Sequence, residues 1–411
     1  MPKLTAISLF SGAGGIDYGL EAAGFDTAVA LEFNRDCCRT LRANRSWPVI
    51  EEDVFAVTTR QLLKIGQLKK GQVDLLVGGP PCQPFSKSAY WNKGDTLRLQ
   101  DPRAGTLAAY MRVVEEAQPR AFLLENVGGM TFSGKSEGFS FLLQRIREIN
   151  KRTHSKYRPC WKILNAAHFG VPQKRERFFL IAARDGSQFE FPVPTHEEAD
   201  REGDLLPSGL FPFSTAWDAI GDVRPERQEN LKVGGKWGEL LPSIPEGKNY
   251  LWHTPRGGGL PLFGWRTRYW QFLLKLAKTQ PSWTIQAQPG SSVGPFHWEN
   301  RRLSSRELCR LQTFPDNVTI SGSRVEVQRQ IGNAVPSLFA EVLARAIRTQ
   351  LLKRRITSPR PALMPKKRNS YPRPVTPKPV PKKYRELIGD HADHPGTGKG
   401  KAAVRRLCEA T

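Results

Sequence analysis

One stretch, Val73–Ser86 (VDLLVGGPPCQPFS), organises the rest of this chain. Its apolar residues run into GGPP, a pattern that predicts a buried strand ended by a sharp, rigid turn. Proline fixes φ and glycine permits tight backbone, so the turn holds Cys82 at the carboxyl end of the strand, where open α/β sheets bind ligands. We therefore predict that Cys82 is a nucleophile. The alternative is a small buried core cysteine.

The amino terminus predicts a ligand cradle. Residues 5–25 (TAISLFSGAGGIDYGLEAAGF) predict a strand, a glycine-rich turn and a helix. Gly12 and Gly14 let a ligand approach the backbone, and the helix N-terminus offers unpaired N–H groups. Glu32 and Asp53 follow at the ends of the next two predicted strands, where carboxylates repel phosphates. This favours a neutral or cationic adenosine ligand such as S-adenosylmethionine, with dinucleotide binding or plain tight packing as alternatives.

Two later segments carry polar groups suited to catalysis. AFLLENV ends a predicted strand with Glu125, which can hold a base or act as an acid, or simply cap the next helix. In QKRER, the side chains of Gln173, Arg175 and Arg177 alternate and are predicted to share one face of a strand. They could converge on one polar target or form a solvated surface.

Six segments in order carry a family resemblance: FSGAG, PPCQ, ENV, QKRER, RRLSSRELCRLQTFPD and QRQIGNAVPSLFAEVLARAI. Together they resemble the DNA (cytosine-5) methyltransferase family. The resemblance implies an α/β fold, with a Rossmann-like S-adenosylmethionine-dependent methyltransferase sheet and a smaller, β-rich target-recognition domain. It also implies that duplex DNA is the partner and that the target cytosine is flipped out of the helix.

The resemblance assigns roles to individual residues. Cys82 would attack carbon 6 of cytosine, Glu125 would hold or protonate the ring, and Arg175 and Arg177 would hold the base and the Cys82 loop. The implied cofactor contacts are Phe10, Gly12, Gly14, Glu32, Asp53 and Asn333. The predicted DNA contacts are Ser86, Ser88, Arg266, Arg268 and Thr284.

We predict four segments along the chain. Residues 1–184 form the catalytic and cofactor-binding domain, 185–325 the target-recognition domain, and 326–352 a segment that returns to the catalytic domain. Residues 353–411 form a basic, proline-rich tail that we expect to be disordered, because proline removes amide donors and few apolar residues remain to bury. A tail of this kind would add sequence-independent affinity for DNA.

Charge and composition narrow the class of protein. The net charge is +23, and residues 353–411 alone contribute +12, from 16 Lys and Arg against 4 Asp and Glu. So basic a chain indicates a polyanionic partner. No apolar run is long enough to span a membrane, no cysteine or histidine spacing predicts a metal site, and we expect a cytoplasmic monomer.

Three other functions remain open at this stage. An RNA cytosine-5 methyltransferase would share every catalytic motif, and methylation assays on DNA and tRNA would separate the two. A catalytically inactive DNA-binding regulator would lack the thiol or the glutamate, whereas both are present. A dinucleotide-dependent oxidoreductase would carry GxGxxG, whereas the turn here reads GAGG. We expect a bacterial restriction–modification context.

Overall fold

The computed structural model describes residues 3–81, 105–131, 137–198, 209–266, 269–368, 370–389 and 391–392. Its strands are β1 Leu4–Leu9, β2 Phe25–Glu32, β3 Val49–Glu51, β4 Leu75–Gly78, β5 Ala121–Asn126, β6 Cys160–Asn165, β7 Gln173–Lys174, β8 Glu176–Ala183, β9 His196–Glu197, β10 Phe211–Pro212 and β11 Ser282–Trp283. Seven of them form one sheet in the order β3-β2-β1-β4-β5-β8-β6.

The sheet is parallel from β3 to β5, and β8 is the one strand of the sheet that runs antiparallel to its neighbours, β5 and β6; the parallel strands β1, β4 and β5 are central. Such strands are buried on both faces, which is why β1, β4 and β5 read as nearly continuous apolar runs. Leu9 pairs with both Leu31 and Gly78, and Gly78 also pairs with Leu124. The carboxyl ends of β2, β1, β4 and β5 therefore meet at one edge.

The helices are α1 Gly15–Ala22, α2 Arg35–Asn44, α3 Thr59–Ile65, α4 Gly105–Ala117, α5 Glu137–Thr153, α6 Ala216–Ile220, α7 Ser305–Leu311, α8 Arg324–Asn333, α9 Ser337–Gln350 and α10 Lys382–Arg385. Apolar side chains of α3, α4 and α5 cover one face of the sheet, and those of α1 and α9 cover the other. Within the described ranges, no helix combines the length and apolar character needed to cross a membrane.

Helix α9 explains how a distant segment completes the first domain. A side chain at Gly19 would overlap the carbonyl oxygen of Ser337, and one at Gly15 would overlap that of Val335. The glycines of α1 therefore let the α8–α9 junction lie directly against the start of α1. Val335 and the apolar side chains of α9 pack on the same face of the sheet as α1.

The described part of residues 185–325 is not β-rich, contrary to expectation. Between residue 185 and α8 the described strands are β9, β10 and β11, each two residues long, together with 3-10 turns at Gly238–Ser243 and Tyr250–His253. Frequent glycine and proline interrupt any longer ladder. Two hydrophobic clusters hold this region instead. The bridging cluster includes Tyr18, Ala219, Leu276, Leu308 and Ile331, and the recognition cluster includes Val233, Leu241, Tyr250, Phe296 and Tyr384.

The expectation of a disordered carboxyl-terminal tail is also wrong for the tail residues that the structure describes. These residues pack on the rest of the chain and include α10, in which Tyr384 is only 3% exposed. Proline does remove amide donors here, but the remaining N–H groups donate to buried carboxylates, and two apolar side chains, Val380 and Tyr384, enter the recognition cluster. The overall composition of the tail does not reveal these few anchoring residues. Residues 369, 390 and 393–411 lie outside the described part.

Candidate active site

The glycine turn after β1 forms one half of the site. Phe10, Gly12 and Gly14 all have positive φ, at 55°, 55° and 84°, and α1 begins directly afterwards. Left-handed backbone favours glycine, so Phe10 is an unusual residue to find there. A side chain at Gly12 would meet nothing within 4 Å. The turn thus leaves open space above its backbone, as a ligand cradle requires.

Glu32 is fixed beside this turn. Its carboxylate accepts hydrogen bonds from the Gly12 N–H and the Asn34 N–H, both at 2.8 Å, and the residue is nearly buried. These two donors orient the carboxylate at the end of β2 and leave oxygen lone pairs for a further partner. Asp53, after β3, is exposed, and its carboxylate accepts the Phe55 N–H at 3.0 Å.

Asn333 completes this half from the far end of the chain. It is the last residue of α8 and is exposed, while the neighbouring Val335 lies against Gly15. Arg329 of the same helix donates to the Asn34 side chain at 2.7 Å, and Asn34 in turn caps α2. The carboxyl-terminal motif is therefore brought to the glycine turn and to Glu32.

Sequence reasoning missed two aromatic residues at this edge. Phe33 and Phe55 are 72% and 57% exposed, whereas ten other phenylalanines of the described residues are buried. They follow Glu32 directly and Asp53 by two residues. A large apolar residue placed just after a strand-terminal carboxylate was the available signal. Exposed aromatic faces beside carboxylates suit a flat heterocycle.

Glu125 and Arg177 form the other half. The Arg177 Nε lies 2.9 Å from Glu125 Oε1, and Glu125 is 9% exposed. Burial raises the pKa of Glu125 above its usual value, and the nearby Arg177 and Arg175 offset only part of that rise. A side chain at Gly79 would come within 2.7 Å of Glu125 Oε2. The carboxyl group therefore lies against the turn that leads to Cys82.

Asn126 ties the two strand ends together. Its side chain donates to the Pro80 carbonyl at 3.2 Å and accepts the Val127 N–H at 2.8 Å. The residue is buried, so both ends of its amide are used within the protein. Asn126 thus holds the GGPP turn against β5 and places the chain entering Cys82 beside Glu125.

Gln173, Arg175 and Arg177 do not converge on one target as expected. β7 ends at Lys174 and β8 begins at Glu176, so strand alternation is broken at Arg175. Arg175 is 1% exposed, and its guanidinium donates to the carbonyls of Ile285 and Gly332. Gln173 donates to Leu311 and Gln312 and accepts the Ile285 N–H. Arg177 alone pairs with Glu125.

The predicted DNA contacts are only partly described. Arg266 is exposed, and its backbone bonds to the Tyr250 hydroxyl. The half-buried Thr284 hydroxyl donates to the Lys174 carbonyl at 2.8 Å, so it joins β11 to β7. Cys82, Ser86, Ser88 and Arg268 lie outside the described residues. In the part of the chain that is described, no group of three or more His, Cys, Asp or Glu side chains could hold a metal.

Comparison with known proteins decides the family. The family model for C-5 cytosine-specific DNA methylases matches residues 4–349. The chain belongs to this family. The methylase is 40% identical over 372 residues to the Type II methyltransferase M.SacI of Streptomyces achromogenes. The aligned residues are 85% of this chain and 94% of that protein. It is 33% identical to the Type II methyltransferase M.NgoFVII of Neisseria gonorrhoeae over 84% of this chain and 86% of that protein.

Solved structures agree on the fold. A prophage protein of Escherichia coli described as a DNA modification methyltransferase matches with a TM-score of 0.58 at 22% identity, over 85% of the methylase and 99% of that chain. A variant of Spodoptera frugiperda DNMT2 matches with a TM-score of 0.56 at 16% identity, over 84% and 99%. These likenesses confirm the Rossmann-like methyltransferase sheet.

The family and the curated relatives together settle the class of reaction. The methylase is a DNA cytosine-5 methyltransferase of the restriction–modification type. They support this reading over an RNA methyltransferase, an inactive regulator or an oxidoreductase. The prediction made from six ordered motifs is confirmed at this level.

Proposed function

We propose that the methylase transfers the methyl group of S-adenosylmethionine to carbon 5 of a flipped cytosine within a specific duplex sequence, with Cys82 as nucleophile and Glu125 as acid. One observation carries the proposal. A buried carboxyl group with a raised pKa, paired with Arg177, lies against the turn that delivers the thiol. An acid in this position and a nucleophile that directly follows the turn in sequence can act on the same small ring.

The open half of the edge fits the proposed cofactor. S-adenosylmethionine supplies a transferable methyl group on a cationic sulfonium. The space directly above Gly12 is open, and the fixed carboxylate of Glu32 can accept the two hydroxyls of a ribose. Carboxylates disfavour a phosphate-bearing cofactor here. The residues proposed to hold it are Phe10, Gly12, Gly14, Glu32, Asp53 and Asn333, with Phe33 and Phe55 beside the heterocycle.

The chain's own residues then carry the chemistry on cytosine. The Cys82 thiolate adds to carbon 6 while Glu125 gives its proton to the ring nitrogen at position 3, so that carbon 5 becomes nucleophilic and takes the methyl group. A base then takes the carbon 5 proton, the carbon 6–sulfur bond breaks to release the Cys82 thiolate, and the proton on ring nitrogen 3 returns to Glu125. Arg177 orients Glu125 throughout. Arg175, between β7 and β8, supports the site by donating to the carbonyls of Ile285 and Gly332.

Duplex DNA must deliver the base to this edge. A stacked cytosine is inaccessible to thiol and cofactor together, so the base has to leave the helix. The net charge of +23 favours binding to the phosphate backbone. Methylation at one sequence would protect that sequence from a partner endonuclease. Bisulfite sequencing of DNA from cells expressing the protein tests the activity and identifies the site; cytosines that stay unmethylated would contradict the proposal.

Replacing Glu32 with alanine is expected to weaken S-adenosylmethionine binding by about 1.5–3 kcal/mol, because a hydrogen bond to a charged acceptor is lost. Isothermal titration of the DNA-free protein measures this directly. Glu148→Ala is the matched control, since Glu148 is partly exposed and pairs only with surface arginine and glutamine side chains. Equal affinity in both variants would remove Glu32 from the cofactor site.

Replacing Arg266 or Arg268 with alanine is expected to cost about 1–3 kcal/mol of discrimination if either side chain reads a base edge. Affinity is measured for the target duplex and for duplexes with single base-pair changes, at one salt concentration. A loss confined to one position of the site identifies a base contact. Uniform weakening on every duplex identifies a phosphate contact instead, and no change would exclude both.

A further inference from the structure

The described residues from Ser358 to Ala392 lie across the molecule, and we call them the strap. It begins just beyond α9 and lies wholly after the family match, which ends at residue 349. The strap contacts the second face of the sheet, then α6, then the recognition cluster, in that order. One segment therefore joins the catalytic sheet to the middle region of the chain.

The first anchor is on the catalytic side. Glu341 of α9 is fully buried, and its two carboxylate oxygens accept the N–H groups of Ala362 at 2.6 Å and Leu363 at 2.9 Å. Leu363 and Met364 pack against the cluster on this face of the sheet. A side chain at Gly170 would come within 2.5 Å of the Met364 sulfur. The strap is thus fixed to the sheet before it leaves it.

Two more carboxylates guide the strap outward. Asp218 in α6 is buried and accepts the Arg368 N–H at 2.8 Å, and the Arg368 guanidinium pairs with Asp222 at 2.6 Å. Glu246 accepts the Val375 N–H at 2.8 Å and also pairs with Lys278. Buried carboxylates satisfied by backbone N–H groups fix a path more strictly than surface ion pairs do.

An aromatic anchor ends the strap on the recognition cluster. The Tyr384 ring stacks on Trp237, with centroids 5.6 Å apart and planes 20° apart, and its hydroxyl donates to the Lys236 carbonyl at 2.7 Å. Further on, the Gly389 N–H donates to the Pro261 carbonyl at 3.2 Å. A side chain at Gly264 would come within 2.6 Å of the Ala392 carbonyl oxygen. Gly264 lies two residues before the exposed Arg266.

We propose that the strap is a specificity-positioning segment, which holds the loop around Arg266 at a set place relative to Glu125 and the catalytic edge. The inference rests on the proposed function, because it takes this loop to face DNA. The middle region has little sheet of its own to fix its orientation. Glu341, Asp218 and Tyr384 are buried where they hold the strap, whereas a tail acting by charge alone needs no buried anchor.

The test compares Tyr384→Ala with Lys378→Ala in the full-length protein. Lys378 is exposed, so its replacement removes one strap charge and leaves the backbone bond to Pro242 intact. Tyr384→Ala is expected to raise the KM for the target duplex about tenfold, equivalent to about 1.4 kcal/mol. The single-turnover rate at saturating DNA and the affinity for S-adenosylmethionine should stay unchanged, and preference for the target over altered duplexes should fall.

Two further variants keep the test decisive. Tyr384→Phe retains the ring stacking and should restore most of the target preference. Val375→Pro removes one N–H donor from an already proline-rich segment, and should lower the preference even if Tyr384→Ala does not fold. The inference is overturned if the Tyr384 and Val375 variants match Lys378→Ala, or if they weaken all duplexes equally. Wild-type protein that methylates no cytosine would instead contradict the proposed function.

Discussion

Replacing Glu125 with glutamine is expected to lower the rate of methyl transfer by about 10²–10⁴-fold, the usual contribution of a positioned acid. Glutamine has nearly the same size, so it fits the space beside Gly79 and can still bond to Arg177 or the base. It cannot give a proton to the ring. Single-turnover incorporation of labelled methyl groups into the target duplex measures the effect without interference from product release.

The pH dependence separates an acid from a structural group. Burial raises the pKa of Glu125, so its protonated form persists to higher pH than that of an exposed glutamate. The ratio of the wild-type to the Glu125→Gln single-turnover rate should fall as the pH rises through that raised pKa, because ionisation of the Cys82 thiol affects both rates alike. Glu148→Gln should behave like wild type. A Glu125→Gln rate within twofold of wild type would show that the glutamate is not the acid.

Replacing Cys82 with serine is expected to abolish methylation, because a hydroxyl is a far weaker nucleophile than a thiolate towards carbon 6 of the ring. Binding of S-adenosylmethionine and of the target duplex should persist, since neither is assigned to the thiol. Cys160→Ser is the matched control, because Cys160 is a free, half-buried cysteine in β6, away from the edge of parallel strand ends. Normal turnover by the Cys82 variant would end the covalent mechanism.

The meeting of the candidate site residues at one edge could be predicted because they follow strands. Glu32, Gly79 and Glu125 each stand where a continuous apolar run stops, and parallel pairing brings such ends to one edge. That the chain returns to this edge at Asn333 could be predicted only from the order of the family motifs. Local patterns contain no information about contacts between segments some 300 residues apart.

The errors have physical causes as well. The QKRER pattern predicts alternation along one strand, but the strand is interrupted at Arg175, and the guanidinium of Arg175 donates to the carbonyls of Ile285 and Gly332. Likewise, the tail has a disordered composition on average, whereas Tyr384 and the buried Glu341 and Asp218 hold it in place. A few buried contacts determine whether such a segment is ordered, and its average composition does not reveal them.

The most direct test of the account is a covalent trap on DNA. A target duplex carrying 5-fluorocytosine at the methylated position is incubated with the protein and S-adenosylmethionine, because fluorine cannot be removed as a proton is. The account predicts a denaturation-resistant complex in which peptide mapping finds the base attached to Cys82, and no complex from Cys82→Ser. An active protein that forms no such complex, or one that attaches the base to another residue, would contradict it.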